Sequence, residues 1–585
     1  MIININALEQ IFEINSDTYF PVHSHIILEC VEDNKKIYSI LCMNQQVMTI
    51  EEYINLRRQT ANIEINDYLM NLLRTGLKYV IFATPILLID NKREAIEKKT
   101  PIPNIDNYIF KRNVLIQIER LMQSGELTPH TTMISDDQSS IPAFLENIFP
   151  QSNGIFIGRL LYDHTNVFIP TKSLPTHLGI FGTTGAGKSN LMQVMQHGII
   201  EHNLNVLDNN LNTPLISALA IDPHDEYALG PEGKGLCHLA NLIEPSMRNS
   251  LFGSFFYLYP RNSKIQSILN PVSLECVINY EEIVPLDLLN VQNFTGPQSE
   301  VMEAENFLAR DDWVSNILQD TLASVGHHDA SKSAVRRRLR PLERSSIFQP
   351  KDQNNSALSD IIDALESGKI LDFNCSLLSD FEMFLFNTIV ARTIFNIRKS
   401  LKASANIEDF RNQLQNRLPK SFVENYGNKL DKYIKKGDEV KDPTDMPIIM
   451  FTIEEAPSIL NPELMKGPNI FKDIARQGRK FHISLAIISQ QISTLDNSII
   501  SNINTNINLP VGSDKERKGL IDNASSTIQM NDLRSLEGTL GVSIINGNWL
   551  TKFQKILIPR YKDYFELNQD KFKKIKSRGT KTSLI

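Results

Sequence analysis

The chain has 585 residues, 42% of them hydrophobic and 22% charged, which is enough apolar side chain for a large core and too mixed in charge for bulk disorder. Its formal net charge of -7 excludes the overall basic footprint of a small nucleic-acid-binding domain, so any nucleic-acid contact must come from a local basic surface. The cysteines Cys30, Cys42, Cys237, Cys276 and Cys375 form no CxxC half-site and no close pair, which points to a reducing, cytoplasmic setting rather than a disulfide framework.

In chain order, Met1 to Phe12 lacks a positive n-region and carries Glu9, so it does not read as a secretory signal. Residues 1–165 read as a β-rich domain. Ile26-Ile27-Leu28 and Ile37 to Cys42 are expected strands around the polar Glu32-Asp33-Asn34 turn. Glu51 to Leu73 is an expected helix, and Thr128 to Ser140 an expected loop. The longest apolar run, Tyr79 to Ile89, is interrupted by Pro85 and is too short to span a bilayer, so no membrane contact is expected. His23 and His25 have no third ligand nearby and read as ordinary histidines rather than a zinc site.

The second region, residues 166–565, opens with an apolar strand, Leu178 to Phe181. The loop Gly182-Thr183-Thr184-Gly185-Ala186-Gly187-Lys188-Ser189-Asn190 and a helix from Ser189 onward follow it. Strand, glycine loop and helix in that order satisfy GxxxxGK[ST] in the context the motif requires. Backbone N–H groups of such a loop cradle phosphates, Lys188 adds a positive charge, and the Ser189 hydroxyl can ligate Mg2+. Further strands are expected at Ile216 to Ile221, Phe255 to Leu258, Ile370 to Phe373, Ile448 to Ile453, Ser484 to Ile488 and Val542 to Ile545. Several are almost wholly apolar, as parallel strands covered on both faces should be. Residues 300–347 read as a helical block, 403–445 as a polar surface insertion, and 566–585 as a basic tail.

The strand Ile448 to Ile453 runs into Glu454 and Glu455. An acid beside the phosphate loop can serve the metal, and its neighbour can polarise the attacking water. Glu454 is assigned to the metal side and Glu455 to the water. Gln490, just past the strand Ser484 to Ile488, is placed to sense the γ-phosphate. Arg479, with Arg476 as second choice, could reach a nucleotide in a neighbouring subunit. Asp222, at the end of another strand, could face the metal site or the channel, or simply organise a turn. Arg336-Arg337-Arg338 with Arg340, and Arg261 with Lys264, are basic residues that could line a pore, although a solvated helix face is the simpler reading of the first group. Asn428-Lys429-Leu430-Asp431 matches the guanine-reading NKxD tetrapeptide. No apolar strand precedes it, and a GTPase is set aside.

As an ordered set, His177 to Ser189, Asp222-Pro223-His224-Asp225-Glu226-Tyr227, the strand ending in Glu454-Glu455-Ala456, Arg476-Gln477-Gly478-Arg479-Lys480-Phe481, and Ser489-Gln490 resemble the HerA branch of the HerA–FtsK ATPases. The resemblance covers residues 155 to 560. It implies an α/β fold: a RecA-like P-loop NTPase core with a small N-terminal β-rich, barrel-like domain and a helical insertion. It implies a homohexamer that hydrolyses ATP with Mg2+ and moves double-stranded DNA through a central pore as a translocase or helicase. It also implies work beside a separate nuclease or other effector subunit, and the family includes chains paired with sirtuin-like or nuclease effectors in antiphage defence. The motifs matching Lys188, Ser189, Glu455 and Arg479 serve there as phosphate lysine, magnesium ligand, catalytic acid and trans arginine. This sequence departs from the pattern at Glu454, where Asp is usual, at Pro457, where His is usual, and at Asp225, where Gly is usual. The Glu454 departure leaves room for an alternative, a nucleotide-gated ring scaffold that recruits and activates an effector with little translocation.

Overall fold

A computed structural model describes residues 2–6, 11–32, 35–61, 76–90, 108–110, 113–128, 132–149, 153–230, 235–236, 255–261, 263, 273–324, 326–351, 356–435, 437–550 and 552–568. The chain divides into two compact units. The smaller comprises Met1–Gln151, Gly158–Phe168 and Ile544–Leu557, and the larger Ser152–Ile157, Ile169–Ser543 and Ile558–Ile585. Among the described residues no helix is long and apolar enough to cross a membrane.

The smaller unit is built on an antiparallel sheet. Its strands lie in the order Ile2–Asn6, Ile11–Ser16, Tyr79–Asp90, Lys35–Thr49, His25–Glu32 and Thr132–Ile134. Inward side chains Phe12, Ile14, Ile26, Leu28, Ile40, Ile81 and Leu88 make its core, and Ile118 and Leu121 of the helix Asn113–Gln123 complete it. Pro85 lies within the strand Tyr79–Asp90, opposite Cys42, where the register shifts between Leu41 and Cys42. Proline donates no ladder hydrogen bond, so a bulge is where a strand can hold it. The expected helix from Glu51 is present as Ile50–Ala61, and the rest of that expectation lies outside the described residues. The stretch expected as a loop, Thr128 to Ser140, instead contributes the strand Thr132–Ile134, paired with His25–Glu32. Three residues are too few for alternation to show in sequence; the neighbouring strand supplies the partner groups.

The larger unit holds a parallel run of strands in the order Ser273–Cys276, Phe255–Pro260, Ile370–Asn374, Ile216–Asp222, Ile448–Ile453, Ile483–Ser489, Leu178–Phe181 and Thr505–Asn508. Every residue of Leu178–Phe181, Ile216–Asp222, Ile370–Asn374, Ile448–Ile453 and Ile483–Ser489 is buried, as expected of strands covered on both faces. Thr505–Asn508 is also buried throughout, although its sequence Thr-Asn-Ile-Asn carries no apolar run that would announce a strand. The helical block is present as Gly296–Ala309, Trp313–Gln319 and Asp329–Leu339.

Residues 403–445, expected as a polar surface insertion, are packed. The helices Ile407–Arg417 and Lys420–Tyr426 bury Phe410, Leu414, Phe422 and Tyr426, and the Tyr426 and Tyr433 hydroxyls meet at 2.8 Å. Few apolar residues sufficed because most of them are aromatic and lie on one side. Beside them, Arg398 of the long helix Asp380–Ala403 is fully buried. It donates to Glu366 Oε1 at 2.9 Å, to the Pro443 carbonyl at 2.8 Å and to the Pro447 carbonyl at 3.0 Å. Arg398 therefore fixes the entry to Ile448–Ile453, the strand that ends at Glu454. Arg398→Met leaves the Glu366 carboxylate buried without its cation and is expected to cost about 3–5 kcal/mol in urea unfolding, much of it recovered by adding Glu366→Leu. A loss below about 1 kcal/mol, the range of an exposed pair, would refute this account.

Candidate nucleotide site

Parallel register brings the expected groups to one edge of the sheet. Phe181, the last residue of the phosphate-loop strand, pairs with Ser489 on one side and Asn508 on the other. The loop that follows is tied to both neighbours: Gly182 N–H donates to the Ser489 carbonyl at 3.2 Å and Thr183 N–H to the Pro510 carbonyl at 2.9 Å. Gly182 packs so closely that a Cβ there would lie 2.8 Å from Leu509 Cβ. Gly185 and Gly187 have φ of +75° and +99°, the left-handed region that glycine enters without strain. Ala186 N–H closes the turn onto Thr183 O at 3.2 Å, while the N–H groups of Thr184, Gly185 and Gly187 donate to no backbone acceptor among the described residues. Together with the first turn of the helix Lys188–Asp208 they form a concave set of donors suited to an anion.

Lys188 Nζ donates to the carbonyls of Gly182 and Thr183 at 3.0 and 2.9 Å. Burial holds its pKa below the ordinary lysine value, and the carboxylates of Glu454 and Glu455 oppose that shift. Ser189 is half-buried in the first helical turn, next to Lys188. Gln490 does reach the loop: Thr184 Oγ1 donates to its Oε1 at 2.9 Å. The Asn190 side chain is occupied elsewhere. Its Nδ2 donates to the Pro559 carbonyl at 2.9 Å and its Oδ1 accepts from Tyr561 N–H at 2.8 Å, which ties the helix to residues 559–561.

Across from the lysine, Glu454 is pushed up to about 8, first by burial and then by Asp222 and Glu226, with Lys188 opposing. Glu455 is exposed and left-handed, at φ +46°. Asp222 resolves as a turn organiser. Oδ1 accepts from His224 N–H at 3.2 Å and Glu226 N–H at 3.1 Å, and Oδ2 accepts from Tyr227 N–H at 2.8 Å. Burial pushes its carboxyl up to about 7 against the pull of those N–H groups. Asp225 takes φ +55°, a conformation glycine would take freely, and Tyr257 Oη donates to its Oδ1 at 3.1 Å. The turn that usually carries glycine is thus compatible with an aspartate whose side chain is anchored. Deeper still, Asp372 is wholly buried, and burial beside Asp222 and Asp225 raises its carboxyl well above the usual range.

Arg476 ends the helix Ile470–Gln477, and Arg479 lies in the 3-10 turn Gly478–Phe481. Both are exposed, and neither forms an ion pair among the described residues. The turn itself is tightly mounted. A Cβ on Gly478 would come within 2.4 Å of the Ile483 carbonyl oxygen and 3.3 Å of His177 Cε1. His177 precedes the phosphate-loop strand with φ 65° and ψ 151°, near a region that glycine alone populates readily, at a cost on the order of 1–3 kcal/mol. Its Nδ1 accepts from Leu485 N–H at 3.1 Å, so the proton sits on Nε2, which donates to the Ala475 carbonyl at 3.0 Å. Burial lowers its pKa to about 4, so the ring is neutral.

The other sequence candidates separate from the site. Arg336 is engaged with Asp320 and the Ile317 carbonyl, and Arg338 lies over the Phe294 ring at 4.9 Å. Arg261 pairs with Glu275 at 3.1 Å, Arg337 and Arg340 are exposed, and Lys264 lies outside the described residues. Lys429 of the NKxD tetrapeptide is bonded to Asp360 at 2.5 Å, a structural use. No group of three metal-ligating side chains forms among the described residues; the oxygen groups that the sequence reading offers to a metal are the Ser189 hydroxyl and the Glu454 carboxyl. That hard-oxygen set suits Mg2+. The sequence reading quoted His177 within the phosphate-loop run and Tyr257 within an expected strand without giving either a role, and it passed over Pro510, whose carbonyl holds Thr183.

Comparison with known proteins adds a likeness. Residues 155–394 match the family model described as the central domain of helicase HerA. The chain is 27% identical over 413 residues to a DNA double-strand break repair helicase HerA of Saccharolobus solfataricus, covering 69% of this chain and 68% of that one. It is 24% identical over 487 residues to a probable DNA double-strand break repair helicase HerA of Methanocaldococcus jannaschii, covering 77% and 84%. Among solved structures, the plasmid coupling protein TrwB in complex with ADP and Mg2+ is similar with a TM-score of 0.41 at 12% identity, covering 73% of this chain and 92% of that chain.

The raised Glu454 carboxyl has a sign-definite consequence. An unperturbed glutamate loses its proton at 4.5, and the folded chain retains this one up to about 8. The native state then binds more protons than the unfolded state between those values. Glu454's contribution to stability is fully present below 4.5 and is lost as pH rises to about 8. Nucleotide-free protein should therefore melt at lower temperature as pH rises from about 5 to 8, and Glu454→Gln should flatten that decline. Identical slopes in thermal melts of the two proteins would contradict the assignment.

Proposed function

We propose that the chain works as a member of the HerA branch of the HerA–FtsK ATPases, hydrolysing ATP to move double-stranded DNA through a ring of six subunits; the match to the HerA central domain, the HerA relatives and the geometry above support this reading. The observation that carries the reading is the donor-lined loop from Thr184 to Gly187 with Lys188 inside it and Glu454 and Glu455 facing it. Loop N–H groups and Lys188 bind the phosphates. Ser189 and Glu454 would hold Mg2+, which would supply positive charge to the phosphate oxygens. Glu455 accepts the proton of the attacking water, and Gln490, bonded to Thr184, orients at the γ-phosphate position. Arg479, which forms no ion pair among the described residues, offsets charge at the nucleotide of a neighbouring subunit. We further propose a separate effector subunit, a nuclease or a sirtuin-like enzyme, served by this motor in antiviral defence; the motif set supports a motor, and no nuclease constellation accompanies it in the sequence.

Glu454 favours one second reading. A carboxyl that stays protonated to about 8 must release that proton to solvent before it can ligate a metal, which slows metal-dependent turnover near neutrality. The ring would then act as a nucleotide-gated scaffold that activates its effector with little translocation.

Steady-state hydrolysis with and without duplex DNA separates the two. The motor reading expects stimulation by duplex DNA that fades as salt rises, since phosphate contacts release counterions. Lys188→Ala should lose nucleotide binding, and Glu455→Gln should bind ATP while turnover falls by about a hundredfold or more. Turnover indifferent to DNA at every salt, with full effector activity in Glu455→Gln, would leave only the scaffold.

A further inference from the structure

We propose that His177 is a positioning residue that ties the foot of the phosphate-loop strand to the turn bearing Arg476 and Arg479, so that each subunit holds its arginines ready for the neighbouring subunit's nucleotide. The proposal rests on the reading that these arginines act in trans.

His177 stands at the opposite end of Leu178–Phe181 from the loop. Its backbone is strained there, and what it offers in return is a side chain with two directed bonds. The Leu485 N–H, at the start of the strand leading to Gln490, fixes the imidazole tautomer. The other nitrogen donates to the carbonyl of Ala475, the residue before Arg476. A neutral ring with one donor and one acceptor matches these partners, and a protonated ring would not, because Nδ1 would face an N–H.

The arginine turn has further points of contact. Gly478 packs against the His177 ring with no room for a Cβ. Phe481 closes the turn against Phe395, with ring centroids 5.2 Å apart. His482, at φ 54°, directs Nδ1 to the Met446 carbonyl at 3.1 Å. The turn is thus fixed on its inner side while both arginines project outward, exposed. A shift of the phosphate-loop strand moves His177 and, through Ala475, the base of the arginine turn. Positioning of this kind acts on turnover rather than on ATP affinity, because the cis loop is held independently by Ser489 and Pro510.

Mixed oligomers test it. Lys188→Ala subunits have a dead nucleotide loop and intact arginines; Arg476→Ala/Arg479→Ala subunits have the reverse. Mixing them should restore hydrolysis at composite interfaces. His177→Asn keeps an acceptor for Leu485 N–H and loses the donor to Ala475. Placed in the Lys188→Ala partner, which supplies the arginines, it should cut the restored kcat by about tenfold or more with KM for ATP little changed. Placed in the other partner, it should leave the restored activity near the parent mixture. His177→Gln, whose amide can reach towards Ala475, should recover part of the loss in the arginine-supplying subunit. Equal loss in both placements makes His177 merely structural and overturns its role while the trans reading stands. No restoration by the parent mixture, with each variant still assembled by light scattering, overturns the trans reading and the coupling with it.

Discussion

Parallel hydrogen bonding between the strand Leu178–Phe181 and its neighbours Ile483–Ser489 and Thr505–Asn508 is the constraint on which the nucleotide site depends. Parallel strands in register end at one edge, and whatever follows each strand is delivered there. Phe181 aligned with Ser489 sets Gly182 against the Ser489 carbonyl and brings Gln490 within reach of Thr184. Phe181 aligned with Asn508 sets Thr183 against the Pro510 carbonyl. The glycine loop is shaped by its own residues, but its outline is held by these two flanking carbonyls.

Burial along that edge sets the electrostatics. Asp222, Asp372 and Glu454 end or nearly end neighbouring strands, and each is pushed towards its protonated form first by loss of solvent and then by nearby carboxylates. Lys188 is pulled the opposite way by its own burial and is supported by the two glutamates. An acid-rich, poorly solvated pocket facing a single lysine favours the arrival of further positive charge. This electrostatic setting supports the proposal of a divalent cation held by Ser189 and Glu454.

Several residues hold backbone conformations that cost energy, and their side chains explain the tolerance. Asp225 is left-handed with Tyr257 on its carboxylate, and His177 is strained with both ring nitrogens bonded. Glu455 is left-handed at φ +46°, placing an acid in the turn beyond its strand. Strain of this kind persists where the surroundings over-determine it; His177, Asp225, Glu455 and His482 hold it at the nucleotide edge and the arginine turn, and His23, His164, Asn210, Arg310 and Asp320 hold it elsewhere.

The sequence by itself determined the parts whose signal is local. The loop from Gly182 to Ser189, the apolar strands of the parallel core, the acids closing Ile448–Ile453 and the helical block from Gly296 all declare themselves through residue type and spacing. It did not reveal Thr505–Asn508 as a strand, because a polar tetrapeptide becomes one only when a neighbour's backbone completes its ladder. It could not place residues 544–557 in the smaller unit, nor show that 403–445 bury an aromatic cluster, because both depend on partners far away in sequence. It offered more than one role for Asp222, and only the backbone N–H groups folded around that carboxylate decided for the turn. Local chemistry was legible because it is written in consecutive residues. Register, burial and strain were decided by the tertiary structure, because each is a relation between segments that the chain brings together only on folding.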